Sequence, residues 1–447
     1  MEQIFGYIII FAIILSFVKL KYGMAIYIAY FFLIPYLQLN VGISLSYNFV
    51  CLLFLFAFVF HFRIVNPNRI DVLPMVPFFI YFACYLLLIP AQTGMPYSKQ
   101  FNFLRIDFMS VVFLPLILWN IMKRDRKSVM LFENVLIFCI IVACLYGLLL
   151  TALPGINPYV IMINELTESE DKEEWLLAED EGRLFGRISS VFLHPMNFAL
   201  FLGLACIFLF SLWKKKSNFI IIPSMLLVLV NMVVCGVRSV IAGMGITFIY
   251  YIIKGKHYKL ALYSFLLGIF IILTIGTSTG LSDYLGSMAS QDSRNVRGSS
   301  LEMRLSQLEG SFVEIRDCFF QGEGYGWTTY YQQTKGVHPT ILAFESLLFV
   351  ILCNSGMLGF LIWWLFLRKL SMSVSKIAEN DSLIITCIIL FYISYSCITG
   401  SYDYMKYFVV FYVIMLGRAY QTNLEKKQIY KNETTNNRIL SASVSSV

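Results

Sequence analysis

The chain has 447 residues, of which 58% are hydrophobic and only 14% charged, with a net charge of +7 and a mean hydropathy of +0.73. Soluble domains carry about a quarter charged residues, so this composition excludes a soluble enzyme and places the chain among all-α integral membrane proteins. The basic residues sit mostly in short loops rather than along one polar face. That placement sets orientation in a lipid bilayer and argues against nucleic acid as a partner.

A spanning helix needs roughly 20 apolar residues, and about thirteen runs qualify, the first and fifth being short. They lie near 4–18, 23–39, 44–62, 72–90, 108–121, 129–151, 188–212, 219–235, 239–253, 260–277, 340–367, 383–399 and 404–418. The expected fold is therefore about 12–13 transmembrane helices with one large external loop domain carrying short amphipathic helices. The expected parts are an N-terminal bundle (1–153), an acidic external loop (154–187), central helices with arginine motifs (188–277), a large external loop (278–339), C-terminal helices (340–418) and a cytoplasmic tail (419–447). No internal repeat is evident.

Lysine and arginine placement orients these runs. Lys19/Lys21, Arg63/Arg69, Lys123–Lys127, Lys214–Lys216, Lys254–Lys259, Arg368/Lys369 and the tail from Arg418 fall in alternate loops, which are assigned to the cytoplasm. The outside loops are then 91–107, 154–187, 236–238, 278–339 and 400–403, with the C-terminus inside and, for thirteen spans, the N-terminus outside. The first run lacks a basic n-region and a small-residue cleavage site, so it is expected to be retained. Of ten cysteines, eight (Cys51, Cys84, Cys139, Cys144, Cys206, Cys353, Cys387, Cys397) lie in apolar runs as small buried hydrophobes. Only Cys318 falls clearly in an outside loop, so no external disulfide is expected.

The acidic loop, a solvated flap in its ordinary reading, ends at Arg183 and Arg187, at the outer mouth of a helix, where guanidinium groups match phosphoryl oxygens. Headgroup anchoring or pairing with the acidic loop explains them equally well. His194 and Asn197 fall about two turns into the next run, where a polar pair bonds a neighbouring helix or lines a substrate cavity. Arg238 interrupts an apolar stretch of about 35 residues, too long for one span of a ~30 Å core at ~1.5 Å per residue. It reads as two short helices meeting at Gly236-Val237-Arg238, with the arginine either functional by default or snorkelling to headgroups.

In the long loop, Leu301, Leu305, Leu308, Phe312 and Ile315 recur at helical spacing and predict an amphipathic helix on the membrane surface or over the bundle. Arg304 sits beside that stripe, pointing under the helix or pairing with Glu302 or Glu309. Gly322-Glu323-Gly324-Tyr325-Gly326-Trp327 reads as a flexible turn whose Tyr325 and Trp327 stack on sugar or join the interfacial belt. His338-Pro339 is expected to open the next span, with proline at the first helical position. Glu345 falls two turns further on, on nearly the same face. A histidine beside a carboxylate suits a general base or a phosphate-binding cation, and a simple interfacial histidine is the rival. The four histidines show no zinc spacing, and no aspartate-any-aspartate pair ends an early span, which disfavours a metal-dependent dolichol-type transferase.

Taken together, residues 180–370 resemble the O-antigen ligase and O-antigen polymerase superfamily of bacterial envelope glycan assembly. The matching features are Arg187 leading to His194-Pro195-Met196-Asn197, the Arg238-Ser239 turn between short spans, Arg304 before a hydrophobic helix, Gly322-Glu323-Gly324, and His338. The resemblance implies metal-independent, cofactor-free glycosyl transfer from a polyprenyl diphosphate-linked oligosaccharide to a glycan acceptor, outside the bacterial plasma membrane. It implies arginines (Arg187, Arg238, Arg304, with Arg183 nearby) on the donor diphosphate, where negative charge develops. His338 then activates the acceptor or supports the diphosphate, with Glu345 in reserve as base. A polymerase of O-antigen, capsule or exopolysaccharide repeats is the leading expectation, in partnership with a flippase and a chain-length regulator. A ligase that moves glycan to a lipid A core or a protein, and a lipid-linked glycan transporter, are the alternatives.

Overall fold

The computed structural model describes residues 2–34, 39–40, 44–45, 47–65, 67, 69–152, 157–159, 161–162, 188–192, 194–215, 219–257, 259, 301–342, 344–399 and 405–444. Among these the protein is almost wholly helical, and its one ladder is a two-residue pair, Leu39–Asn40 against Ser44–Leu45. Six helices are long and apolar enough to cross a membrane: Leu73–Ala91, Tyr97–Arg124, Arg126–Ala152, Pro195–Trp213, Leu347–Ile377 and Glu379–Ile398. Shorter apolar helices at Gly6–Val18, Leu20–Leu33, Phe49–Val65 and Ile221–Val234 pack with them. The expected run at 260–277 lies outside the described residues.

Among the described residues, contacts between loops join members of the same set from the charge alternation, at two separate ends. At one end Lys21 pairs with Asp125 at 3.1 Å and Lys123 with Asp71 at 2.6 Å. Lys215 meets Asp381 there, and Gln421 Nε2 donates to the Met122 carbonyl at 2.7 Å. At the other end the Tyr159 hydroxyl donates to the Leu33 carbonyl at 2.7 Å, Asn157 to the Ser190 carbonyl at 2.8 Å and Gln92 to the Asn354 carbonyl at 2.8 Å. We call the first the basic end and the second the loop end.

Four boundaries differ from expectation. The segment 91–107, read as an external loop, is largely helix: Tyr97–Phe108 continues through a π turn at Met109–Phe113 into Leu114–Arg124. Lys99, Gln100, Asn102, Arg105 and Asp107 lower its hydropathy without breaking its backbone. The run expected at 188–212 starts as a helix only at Pro195, because residues 189–192 form a turn with Ser190 at φ 51°. The run expected from 340 starts at Leu347, capped by the Ser346 hydroxyl, which accepts from Leu348 N at 3.2 Å. Beyond 419 the tail continues the helix Met405–Val444.

The helix Leu347–Ile377 is broken at Gly356, which has φ 57° and ψ −152°. A break frees backbone groups that an apolar surrounding cannot satisfy, and the segment 318–324 supplies their partners. Phe319 and Phe320 carbonyls accept from Met357 and Leu358 N at 3.0 Å each. Glu323 N donates to the Cys353 carbonyl at 2.9 Å and Gly324 N to the Asn354 carbonyl at 3.2 Å. The turn Gly322-Glu323-Gly324, expected to be flexible, is thus a wedge seated in a broken helix.

Two glycines separate strain from crowding. Gly322 (φ 68°) would press a Cβ onto Ser355 N and to within 2.6 Å of Gly356 N, whereas Gly336 (φ 78°) faces open space. Gly336→Ala should therefore cost only the backbone strain of its positive φ, about 1–3 kcal/mol. Gly322→Ala should cost clearly more, since backbone must move. Thermal unfolding of the detergent-purified variants should show a larger drop in Tm for Gly322→Ala.

Candidate functional site

Several expected site residues gather at the loop end, around the terminus of the helix Ser382–Ile398. Pro195 occupies the first turn of Pro195–Trp213, and His194 caps it, Nδ1 accepting from Met196 N at 3.2 Å. His194 and Asn197 thus belong to a helix start, not to its second turn. The Tyr395 hydroxyl donates to the Met196 carbonyl at 2.6 Å, and Thr399 Oγ1 reaches Met196 Sδ at 3.0 Å. Asn197 Oδ1 is buried with no hydrogen-bond partner among the described residues.

The turn expected at Gly236-Val237-Arg238 is present. Ile221–Val234 ends, Gly236 takes φ 68°, and Arg238, half-buried, is the first residue of Arg238–Gly255. One and a half turns further along, Gly243 lies against the same partner helix, a Cβ there meeting Phe391 at 3.3 Å and Tyr395 N at 3.5 Å. Ser346, which caps Leu347–Ile377, donates its hydroxyl to the Cys397 carbonyl at 2.6 Å. Three helix starts (Pro195, Arg238 and Leu347) therefore meet one helix end, and each start turns the positive end of its helix dipole toward the loop end.

Arg304 joins this gathering through Glu345. Its Nη2 lies 3.6 Å from Glu345 Oε2, and Nη1 donates to the Glu345 carbonyl at 3.4 Å. Burial lowers the Arg304 guanidinium from its ordinary value, and the Glu345 carboxylate acts to raise it. The amphipathic helix forms as expected (Leu301–Glu314), and Leu308 and Ile315 of its apolar stripe pack inward beside polar side chains. Gln307 and Ser311 are fully buried while Leu305 and Phe312 are 54% and 44% exposed. A mixed inward face with Leu305 and Phe312 left outward suits a helix lying between protein and lipid.

His338 is not at the start of a span. It closes a tight reversal with Leu342, N to O at 3.2 Å and back at 3.0 Å. Its Nδ1 accepts from Thr340 N at 3.2 Å and Ile341 N at 3.0 Å. That places the ring proton on Nε2, which faces Glu314 Oε2 at 3.3 Å. Both nitrogens are committed to local structure, and the ring packs against Tyr331 and Phe344. Tyr325 and Trp327, expected in a substrate cavity, are 1% and 5% exposed. Trp327 packs on Phe344, and Tyr325 on Tyr85. Arg183 and Arg187 lie outside the described residues.

Gln92, Gln100, Asp107, Glu314 and Asn354 escaped the sequence reading although each grips a described part of the site. Gln100 and Asp107 stand two helical turns apart, the one available signal that 97–108 is a helix with a polar inner face. Among the described residues no cluster of histidine, cysteine or acidic side chains could hold a metal. No family model matches the chain, and no curated protein matches it.

The commitment of His338 gives a direct expectation. His338→Ala leaves the buried Ile341 N–H and the part-buried Thr340 N–H without their acceptor, which costs about 1–3 kcal/mol. Thermal unfolding should register that loss as a drop in Tm without any substrate present. An unchanged Tm would return His338 to the list of free imidazoles.

Proposed function

We propose that the protein transfers glycan from a polyprenyl diphosphate-linked oligosaccharide at the outer face of a bacterial plasma membrane, polymerising repeat units of an envelope polysaccharide. The observation that carries this reading is the meeting of three helix starts with one helix end at the loop end, where Arg238 begins one of the helices and Arg304 is held over Glu345 at another. The departing diphosphate gains negative charge as the glycosidic bond breaks. Guanidinium groups and helix N-termini aimed at that charge lower the barrier, because they are already oriented before the charge appears. The basic end faces the cytoplasm in this reading, as lysine and arginine placement requires.

The acceptor hydroxyl must lose a proton as the new bond forms. Glu345 is a carboxylate held beside Arg304 and takes that role ahead of His338, whose two nitrogens are occupied. Arg187, and Arg183 beside it, extend the clamp from the acidic loop. The inner face of Leu301–Glu314, with the turn behind it, limits the entry of water and hence hydrolysis of the donor.

The test is reconstitution. Wild-type protein in nanodiscs, given a polyprenyl diphosphate-linked repeat and no ion gradient, should produce a ladder of lengthened lipid-linked glycan. Arg238→Ala and Arg304→Ala should each lower kcat by about 100-fold or more, the usual loss when one donor to a developing anion is removed. Transfer of glycan only onto a lipid A core or a protein would make the enzyme a ligase. Translocation of intact lipid-linked glycan without bond exchange would replace the reading with a transporter.

A further inference from the structure

The inner face of Tyr97–Phe108 grips a single residue of the external segment. Gln100 Oε1 accepts from Tyr325 N at 3.1 Å, and Asp107 Oδ2 accepts from the Tyr325 hydroxyl at 2.7 Å. The backbone on either side passes too close for any side chain. A Cβ at Gly324 (φ 150°) would meet Met95 at 2.8 Å, and one at Gly326 (φ 82°) would meet Phe103 at 2.7 Å. Gly324-Tyr325-Gly326 is therefore a plug with one side chain, and that side chain ends on a carboxylate, the strongest acceptor an aspartate site offers. Asp107 stands two residues before the π turn Met109–Phe113 in a membrane-length helix. Ionisable residues in such helices carry a function by default, and π turns mark functional places.

The plug matters because of what it braces. Leu347–Ser355, the part of the broken helix before Gly356, is well short of the ~12–15 residues an isolated helix needs. Its far end is held by Glu323, Gly324 and Gln92 on the carbonyls of Cys353 and Asn354. Its near end follows Glu345, which holds Arg304. We propose that Asp107 is a positioning residue: by holding the Tyr325 hydroxyl it keeps the Gly322–Gly326 turn seated in the broken helix and so fixes Arg304 and Glu345 at the loop end. Only the consequence for catalysis rests on the proposed function; the seating does not.

Cys318 reports on the seat. It is buried at the base of the turn, its Sγ donating to Glu323 Oε1 at 3.0 Å, and burial first, then Glu323, pushes its thiol up to about 12. Since the thiolate is the reactive form, a seated turn keeps Cys318 inert and a released one makes it reactive. The full-length protein in nanodiscs is treated with a water-soluble maleimide, and labelling of the Cys318 peptide is followed by mass spectrometry. Asp107→Ala and Tyr325→Phe should each speed labelling at least about tenfold, the order expected when one charge-assisted hydrogen bond is lost. Asp107→Asn, which keeps an acceptor oxygen, should stay near wild type. The double variant Asp107→Ala/Tyr325→Phe should label no faster than the faster single, because both remove the same bond.

Effects that multiply in the double variant, or slow labelling in Tyr325→Phe, would overturn the proposal. Tyr325→Phe keeps the ring on Tyr85 and decides the matter if Asp107→Ala fails to fold. In the transfer assay the two single variants should lower kcat about tenfold, with Asp107→Asn restoring it and the donor KM changing less. If labelling behaves as expected while wild type lengthens no glycan, the positioning role stands and the proposed function falls. If wild type lengthens glycan while labelling is unaffected by the variants, the positioning role alone falls.

Discussion

The backbone break at Gly356 is the constraint on which the loop end depends. An apolar helix that abandons its own hydrogen bonds must find partners for them, since surroundings without water leave each unpaired group costly. The partners come from residues 318–324, a stretch that would otherwise be an exposed loop. The exchange works in both directions: the broken helix gains partners for its backbone, and the loop gains a fixed address. The segment 318–324 is in this way held as firmly as a core element.

That address propagates outward along short, directional links. Seating the turn aligns Leu347–Ser355, whose capping Ser346 reaches the Cys397 carbonyl. The same partner helix, about half a turn earlier, donates from Tyr395 to the first turn of Pro195–Trp213 and lies flat against Gly243, near the start of Arg238–Gly255. The small side of Gly243 permits that close approach. Polar convergence at the loop end thus results from ordinary helix packing plus two caps, His194 and Ser346. The mixed inward face of Leu301–Glu314 fits the same logic, because Gln307 and Ser311 face protein while Leu305 and Phe312 are left outward.

His338 and His194 show how one dipeptide serves two local structures. Both precede proline, and both accept a backbone N–H two residues on through Nδ1. His194-Pro195 opens a helix. His338-Pro339 instead turns back on itself, because Ile341 N also converges on Nδ1 and Leu342 pairs with His338 across the reversal. The sequence signal for a helix start is the same in each, and only the following residues' contacts separate them. Glu345 then falls just before a different cap, Ser346, which removes the carboxylate from the histidine and gives it to Arg304.

Composition and periodicity by themselves determined the helical class, the alternation of loops between two ends, the helix at 301–314 and the paired short helices meeting at Arg238. These follow from quantities additive along the chain: apolar length, charge placement and a 3.6-residue period. Tertiary structure alone decided which face of 301–314 turns inward, that 97–108 is helix, that Leu347–Ile377 breaks at Gly356, and that Tyr325 ends on Asp107. Each of those is a choice between partners far apart in sequence, with similar local preferences on either side. A glycine in an apolar run is silent about its φ until another strand of backbone arrives to accept what it releases.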